Sequence, residues 1–565
     1  MNEAGPRSTT EPPFSELEKK AWIALFALSM LLHLVQLGSH ALHHDEAIHA
    51  WAALHLLQDG TYKYDPVYHG PVQYYAVALV FKVAGLLTGG HGDSDFTARL
   101  APALGGVALS MMALLLRRRF GSGVALATGA LAAFSPNLLY YSRFCRDDIW
   151  SLLGTAGLFL WLDQYLARGR LRDLCFASLS ASVAFASKEN FYVLLALMVP
   201  SVAAAWAEPG RGLDVWNRLR RLIDWLEAHT IPILGALLLF FCVSEVLYTF
   251  FLVHPESGNP AFDAISYWWG QHKMERVGGP KTFYLPRLLQ YEFAIVLPAL
   301  ALIATRWSRF TFAERFLAGW SLSSVAMYAY LGEKAGWLIV HQVLPFLPLA
   351  GAAWALLAEK GSRARLGGAA VAAASLLTAV TLSFVYPVLT PNSRKAESTI
   401  QVQTCPELLG IVDEILAYGK VGEVPAAIVS GEAGWPMSWY VRKAPVNWQA
   451  PNGELRPPIV LCDEVDADKQ AAILGPAYKR DRTPFRAWWI PDVSLSPLRP
   501  NLKQVLLYLF TRETWDRADG NNPVGSVWVT VFRRTGPATA PPPPAPAPPV
   551  DAPAGGASPE AKGTS

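Results

Sequence analysis

Apolar stretches of membrane-spanning length recur along this chain, at 21–39, 100–116, 122–140, 150–166, 174–187, 191–207, 230–251, 290–305, 315–331, 336–357 and 367–388. About twenty such residues carry a helix across a bilayer, so the pattern predicts a polytopic α-helical membrane protein with roughly eleven transmembrane helices. One further stretch, 71–87, is ambiguous. It is short and carries Lys82 near its middle, which argues against spanning, and it reads as a juxtamembrane helix. Beyond 388 the pattern changes. Residues 389–535 alternate between polar and apolar positions and are punctuated by Pro and Gly. Strands are expected at 424–430, 458–462 and 526–532, and helices at 406–419, 466–474 and 498–515. A small α/β domain follows from that alternation. The tail, 536–565, is Pro/Ala-rich and reads as disordered.

Charge placement orients these elements. With 71–87 kept out of the membrane, Lys19-Lys20, Arg117-Arg118-Arg119, Arg168, Arg170, Arg172, Arg218, Arg220, Arg221, Arg306, Arg309, Lys360, Arg363 and Arg365 all fall on one side, in short loops. That is the basic bias of a cytoplasmic face. Residues 1–20 are then cytoplasmic, 21–388 form the membrane domain, 40–98 make its first outer loop, and the α/β domain is extracytoplasmic. The expected location is the cytoplasmic (inner) membrane. The segment 211–229 has arginines between helically spaced apolar residues and reads as an amphipathic helix on the cytoplasmic surface.

Composition sharpens the class. The 565 residues are 52% hydrophobic and 16% charged, with 20 Trp and a formal net charge of +3. Nothing in that balance indicates nucleic acid. Five cysteines show no metal-site spacing; Cys405 and Cys462 would be free to pair only in an oxidising compartment. The first span is followed by an acidic pair foreign to any cleavage motif, so it reads as uncleaved.

The orientation also brings charged clusters to one face. Asp45-Glu46, Arg143-Phe-Cys-Arg146-Asp147-Asp148, Lys188-Glu189 and Glu333-Lys334 all reach the outer surface. Charges at span ends ordinarily mark the interface, and Lys-Glu pairs ordinarily neutralise each other. Both signs meeting on one side favour a composite site. Donors available there are groups carried on a polyprenyl phosphate. Their transfer needs a carboxylate to take the acceptor proton and cations to hold the departing phosphate. Asp45 or Glu46 supplies the first; Arg143, Arg146, Lys188 and Lys334 supply the second.

Residues 40–150 resemble membrane glycosyltransferases of the GT-C superfamily, particularly the protein O-mannosyltransferase and aminoarabinose-transferase branch. The resemblance rests on Asp45-Glu46-Ala, Tyr68-His-Gly-Pro71-Val-Gln-Tyr-Tyr, Ala98-Arg99-Leu-Ala-Pro, Ser135-Pro-Asn-Leu-Leu-Tyr-Tyr-Ser-Arg143 and Asp147-Asp148. Ser187-Lys188-Glu189-Asn190, Gly332-Glu333-Lys334 through His341, Trp435-Pro-Met-Ser-Trp-Tyr440 and Tyr508-Leu-Phe-Thr-Arg-Glu-Thr-Trp515 resemble a narrower group, the "flippase activity-associated" Agl-type proteins. Gly336 departs from it, standing where a Pro is expected. The resemblance implies inverting transfer from a polyprenyl-linked sugar to an acceptor it does not name. Asp45 would be the base, with Glu46 assisting or orienting it. Asp147 or Asp148 would be the second-loop acid, and Arg99 the arginine opening the second span. Glu189, Glu333 and His341 would line the substrate site. Some superfamily members hold a divalent metal on acidic pairs, and Asp45, His49 and Asp147 would be its ligands. Interfacial histidines such as His43, His44 and His49 are more ordinarily hydrogen-bonding surface residues.

Two functional classes are compatible with these features: a lipid-dependent glycosyltransferase, and a non-enzymatic accessory or translocation protein for lipid-linked glycans. A translocation route calls for charged or broken helices at mid-membrane. Collection of charge at one face favours the enzyme.

Overall fold

Local capping chemistry shapes the loop that follows the first apolar helix. In the computed structural model, the first apolar helix, α1, runs over Glu16–Leu34, and the chain then turns into α2, His44–Asp59. The His43 imidazole accepts from the Asp45 amide (3.0 Å), and the Glu46 carboxylate accepts from the His43 amide (2.9 Å). This reciprocal arrangement at a helix start satisfies amides that the helix itself leaves open. Helix α2 ends at Gly60, whose φ of 69° suits a residue without a Cβ. The ambiguous stretch forms α3, Val72–Thr88, and α4 follows at Asp95–Met112. Tyr74, Val77, Ala78 and Phe81 of α3 share a buried cluster with Ala47, Ala50 and Ala53 of α2, and with Trp439 from the C-terminal domain. Helix α3 therefore packs with α2 and the C-terminal domain.

The described residues are 13–90, 92–207, 215–257, 260–274, 279–385, 395–489, 500–515 and 526–536. The disordered-tail expectation and residues 211–214 of the amphipathic segment fall outside them; Val215–Ala228 is helical. All eleven apolar stretches fold as helices. Among the described residues three are long and apolar enough to cross a membrane: Asp95–Phe120, Thr230–Tyr248 and Ser362–Val385. Counting each bent pair as one span gives up to six. These pairs are Ser122–Phe134 with Pro136–Ser142 (60°), Tyr284–Tyr291 with Phe293–Arg309 (101°), and Gly336–Val343 with Phe346–Ala358 (57°). The expected eleven is thus supported only in part. Helix α1 carries Glu16, Glu18, Lys19 and Lys20 within its first turns, and Leu171–Phe185 has only 15 residues.

The C-terminal domain is a six-stranded mixed sheet in the order β1-β5-β6-β4-β2-β3. Its strands are β1 Gln403–Thr404, β2 Ala427–Val429, β3 Val446–Asn447, β4 Ile459–Asp463, β5 Tyr478–Ala487 and β6 Val527–Arg534. Strand β2 pairs in parallel with β3 and β4; the other pairings are antiparallel. Helix Glu407–Lys420 covers one face through Leu408, Ile411 and Ile415, against Val429, Leu461, Val529 and Val531.

The domain is bolted to the first loop. The Leu42 amide donates to the Tyr440 hydroxyl (2.6 Å), which donates to Asp95 (2.7 Å). The Trp439 indole also donates to Asp95 (2.9 Å), Arg442 holds Asp93 (2.6 Å), and the Thr404 hydroxyl donates to the Leu42 carbonyl (2.7 Å). Between bundle and sheet, residues 397–401 pass through the interior. The Thr399 carbonyl accepts from Tyr141 (2.6 Å), the Glu397 carboxylate accepts from Arg512 (2.8 Å), and the Gln401 side chain accepts from the Gly336 amide (2.9 Å).

Candidate active site

Helix α2 delivers its first turn to the point where the bundle, first loop and sheet meet. Asp45 is held there by Arg146, from the link between helices Pro136–Ser142 and Asp148–Arg168. The Asp45 side chain is 26% exposed, whereas Arg146 is 5% exposed. Burial alone would raise the Asp45 carboxyl. The Arg146 guanidinium and neighbouring histidines outweigh it and hold the group well below the usual carboxylate range. Burial pushes the other way on the histidines: His43 is lowered, and His44 is lowered to about 3, with Arg486 adding to the effect.

Arg146 organises the rest of the cluster. Its guanidinium lies 4.0 Å above the Trp337 ring, a cation–π geometry, and Nε reaches Asp148 at 3.4 Å. Asp148 also takes the Lys188 ammonium at 2.6 Å and His341 Nε2 at 3.2 Å. Asp45, Arg146, Asp148, Lys188 and His341, from four separate stretches of sequence, therefore form one connected network.

Asp147 faces the other way. Its oxygens lie 3.5 Å from His49 Nδ1 and 3.9 Å from His69 Nε2, and His69 Nδ1 contacts Glu189 at 2.6 Å. Among the described residues, neither Asp147 oxygen nor His49 Nδ1 has a hydrogen-bond partner. His69 has φ +66° with ψ −165°, a backbone region held essentially by Gly alone. It is clamped there. Gly70 donates to the Ser187 carbonyl (3.1 Å), Val72 donates to the Ala186 carbonyl (3.2 Å), and the Trp268 ring stacks on the imidazole at 4.9 Å. No three His, Cys, Asp or Glu side chains among the described residues converge as a metal-ligand set. The expected trio of Asp45, His49 and Asp147 is divided, because Asp45 is taken by Arg146.

Other expected site residues have different partners. Glu46 and Arg99 are a fully buried ion pair, at 2.7 and 2.6 Å through both carboxylate oxygens. Arg99 places its remaining donors on the carbonyls of Leu37, His40 and Ala41, at 3.1, 2.9 and 3.2 Å. All five of its N–H groups are then used. Glu46 also accepts from the Cys145 amide (2.8 Å). The pair locks the loop entering α2 to α4, and Glu46 does not face the network. Arg143 turns to the carbonyls of Leu32 and His33 at the end of α1, with its guanidinium 4.4 Å from the Phe384 ring. Lys334 donates to the carbonyls of Tyr328 and Ala329 (3.0 Å each) and Leu331, closing the end of helix Phe312–Tyr330. Glu333 precedes it in the same link and is not among the partners of the Asp45–Arg146–Asp148 contacts.

His69 and Trp337 were not singled out by residue type, though both sit inside quoted motifs. A positive φ and a cation–π stack leave no mark in sequence.

The family model described as dolichyl-phosphate-mannose-protein mannosyltransferase matches residues 68–248, which take in Arg146, Asp147, Asp148, Lys188 and Glu189. Among solved structures, ArnT from Cupriavidus metallidurans bound to undecaprenyl phosphate superimposes with TM-score 0.54 at 13% identity. That alignment covers 92% of this chain and all of ArnT. The fold is that of the GT-C membrane glycosyltransferases. A second GT-C structure, the same ArnT in the apo state, gives TM-score 0.52 at 14% identity over 91% of this chain and 98% of that one. The oligosaccharyltransferase of Archaeoglobus fulgidus in the apo form gives 0.50 at 12% identity, covering 92% and 88%. At these identities the likeness is one of fold. No curated protein matches the sequence.

Proposed function

We propose that the protein transfers a sugar from a polyprenyl-phosphate carrier to an acceptor at the extracytoplasmic membrane face, with inversion and with Asp45 as general base. The observation that carries this reading is the Asp45–Arg146–Asp148–Lys188–His341 network: one partly exposed carboxylate beside two buried cations. The donor phosphate is the anion these cations suit. A carboxylate paired with Arg146 is a weak proton acceptor, because its affinity for a proton is depressed. A lipid phosphate arriving at Arg146 competes with Asp45 for the guanidinium. Release of Asp45 restores its basicity as the leaving group is neutralised, so binding and activation are one event. Departure of the phosphate is then assisted by Arg146 and Lys188, while Asp45 takes the acceptor hydroxyl proton.

The topology belongs to the same proposal: eleven spans, a cytoplasmic N-terminus, residues 389–535 outside in the inner membrane, and α3 along the outer surface. The location of α3 beside Trp439 supports it, as does the basic bias of the short loops. The narrower likeness to the flippase-associated group stands here too.

The test is transfer of labelled sugar from polyprenyl phosphate by purified protein in lipid, wild type against Asp45→Asn. Transfer abolished by Asp45→Asn in a folded protein establishes enzyme and base together. Equal transfer by both removes Asp45 from the role. No transfer by either, over a panel of donors and acceptors, favours the accessory reading.

A further inference from the structure

The helix Leu502–Thr511 of the C-terminal domain presents an apolar face that the other described residues leave exposed. Leu502 is 74% exposed and Phe510 86%, and Leu506, Leu507 and Leu509 are also exposed. Leu502, Leu506, Leu509 and Phe510 are spaced i, i+4, i+7 and i+8, which places them along one stripe. The opposite side carries Tyr508, which is buried. Elsewhere in the domain, exposed apolar residues such as Val421, Val424 and Val465 stand singly, which is ordinary. Five within ten residues is a patch.

The buried side of this helix locates it. The Tyr508 hydroxyl accepts from the Ser398 amide (3.1 Å) and from Gln290 (3.4 Å). Gln290 belongs to Tyr284–Tyr291, the first arm of a bent pair that continues into the apolar helix Phe293–Arg306. On that arm Leu285 and Leu289, one turn apart, are themselves exposed, as is Leu297 beyond the bend. Exposed apolar residues therefore stand on both of the elements that the Tyr508–Gln290 contact joins. Ten residues rise about 15 Å, too few to span. A helix of that length with one apolar face suits the interfacial plane. Lys503, exposed in the first turn, is long enough to reach headgroup phosphates while its stem stays apolar.

We infer that Leu502–Thr511 is a membrane-docking helix, lying in the leaflet nearer the sheet domain with Leu502, Leu506, Leu509 and Phe510 among the acyl chains. Its occupant is the bilayer itself. The sheet domain is then held against the membrane at two places, through the first loop and through this helix, and Ser398 in the connecting segment is pinned between them.

Phe510→Cys and Val465→Cys, each in a chain with Cys175→Ala and Cys242→Ala, would be labelled with an environment-sensitive fluorophore and placed in nanodiscs. Cys145, Cys405 and Cys462 are buried. Both labelled sites are exposed, so folding is not at issue. The expected result is a blue-shifted label at 510, quenched at least threefold more by shallow doxyl lipid than the label at 465, and protected from iodide. Iodide quenching at 510 equal to that at 465, without lipid quenching, overturns the inference. Protection from both quenchers also overturns it, since a second copy of the chain would then cover the stripe.

Discussion

In the proposed transfer Asp45 and Arg146 divide the work at the level of single residues, and each has its own expected failure. Arg146→Gln removes the phosphate grip, and transfer should fall by about 10²–10³-fold, the range seen when one donor to developing charge is lost. Arg146→Lys should recover only part of it, because an ammonium lacks the planar fork that faces Asp45, Asp148 and Trp337 together. Steady-state transfer rates on the three proteins check this. Arg99 is different in kind. Arg99→Leu leaves the Glu46 carboxylate buried without its cation and should cost about 3–5 kcal/mol, read as a lowered unfolding midpoint. Joint replacement of Glu46 and Arg99 by apolar residues should be milder than Arg99→Leu alone. His44 carries a pH dependence. It accepts from Arg486 at 2.8 Å, and its folded value of about 3 lies below the roughly 6.5 of an unfolded histidine. Protons therefore favour the unfolded chain below pH 6.5, and stability is lost as pH falls from there towards 3. The loss is at most about 1.4 kcal/mol per unit for one such group. Thermal unfolding at pH 7 and pH 5 should show a shallower loss in His44→Asn than in wild type, with His43 and His49 sustaining the remainder.

At the level of elements, the site depends on one tight crossing. A Cβ on Gly70 would lie 2.2 Å from the Ala186 carbonyl oxygen, so Gly70→Ala must push the 68–72 turn away from 186–188. His69 and Lys188 sit on the two sides of that crossing. Transfer should drop by at least tenfold in Gly70→Ala while the protein still inserts, a separation that activity and size-exclusion profiles measure together. The same crossing shows what could be read from sequence. Apolar runs announced each of the eleven predicted bundle helices, because lipid and core both demand apolar side chains there; Pro260–Met274 and Tyr284–Tyr291 were not announced. Strands β2, β4 and β6 and helix Glu407–Lys420 were equally plain from alternation and capping. Strand β5 escaped notice: Lys479-Arg480-Asp481-Arg482 is exposed at its first half and Pro484 interrupts it. The meeting of Asp45, Arg146, Asp148, Lys188 and His341 was legible as a composite cluster, but the opposite headings of Asp147 and Asp148 were not. Asp148 meets Lys188, from the link between helices Leu171–Phe185 and Asn190–Trp206, whereas among the described residues Asp147 is approached only by His49 and His69. Lys334 and Arg143 looked like phosphate ligands for the same reason: composition shows a cation, while the carbonyls that take it are a tertiary fact.

Over the whole molecule, sheet and first loop behave as one body. Asp95 serves Trp439 and Tyr440, Asp93 serves Arg442, and Arg486 reaches His44. Calorimetry should therefore show the loop and sheet melting together, and Asp95→Ala combined with Arg442→Ala should split that event in two. The link 397–401 is buried, and Asn137, Tyr141, Tyr291 and Arg287 meet its polar groups. It also touches both halves of the site, since the Gln401 carbonyl contacts His43 (2.9 Å) and its side chain holds Gly336, the neighbour of Trp337. Order of synthesis gives this a consequence. A ribosome has made the entire bundle, with Asp45 and Arg146 already in the membrane, before residue 401 emerges. Until the link is threaded home, the cap on α2 lacks its far support and Trp337 lacks its backstop. Under the proposed function, a nascent or truncated chain would therefore stay idle until the last third of the polypeptide is in place.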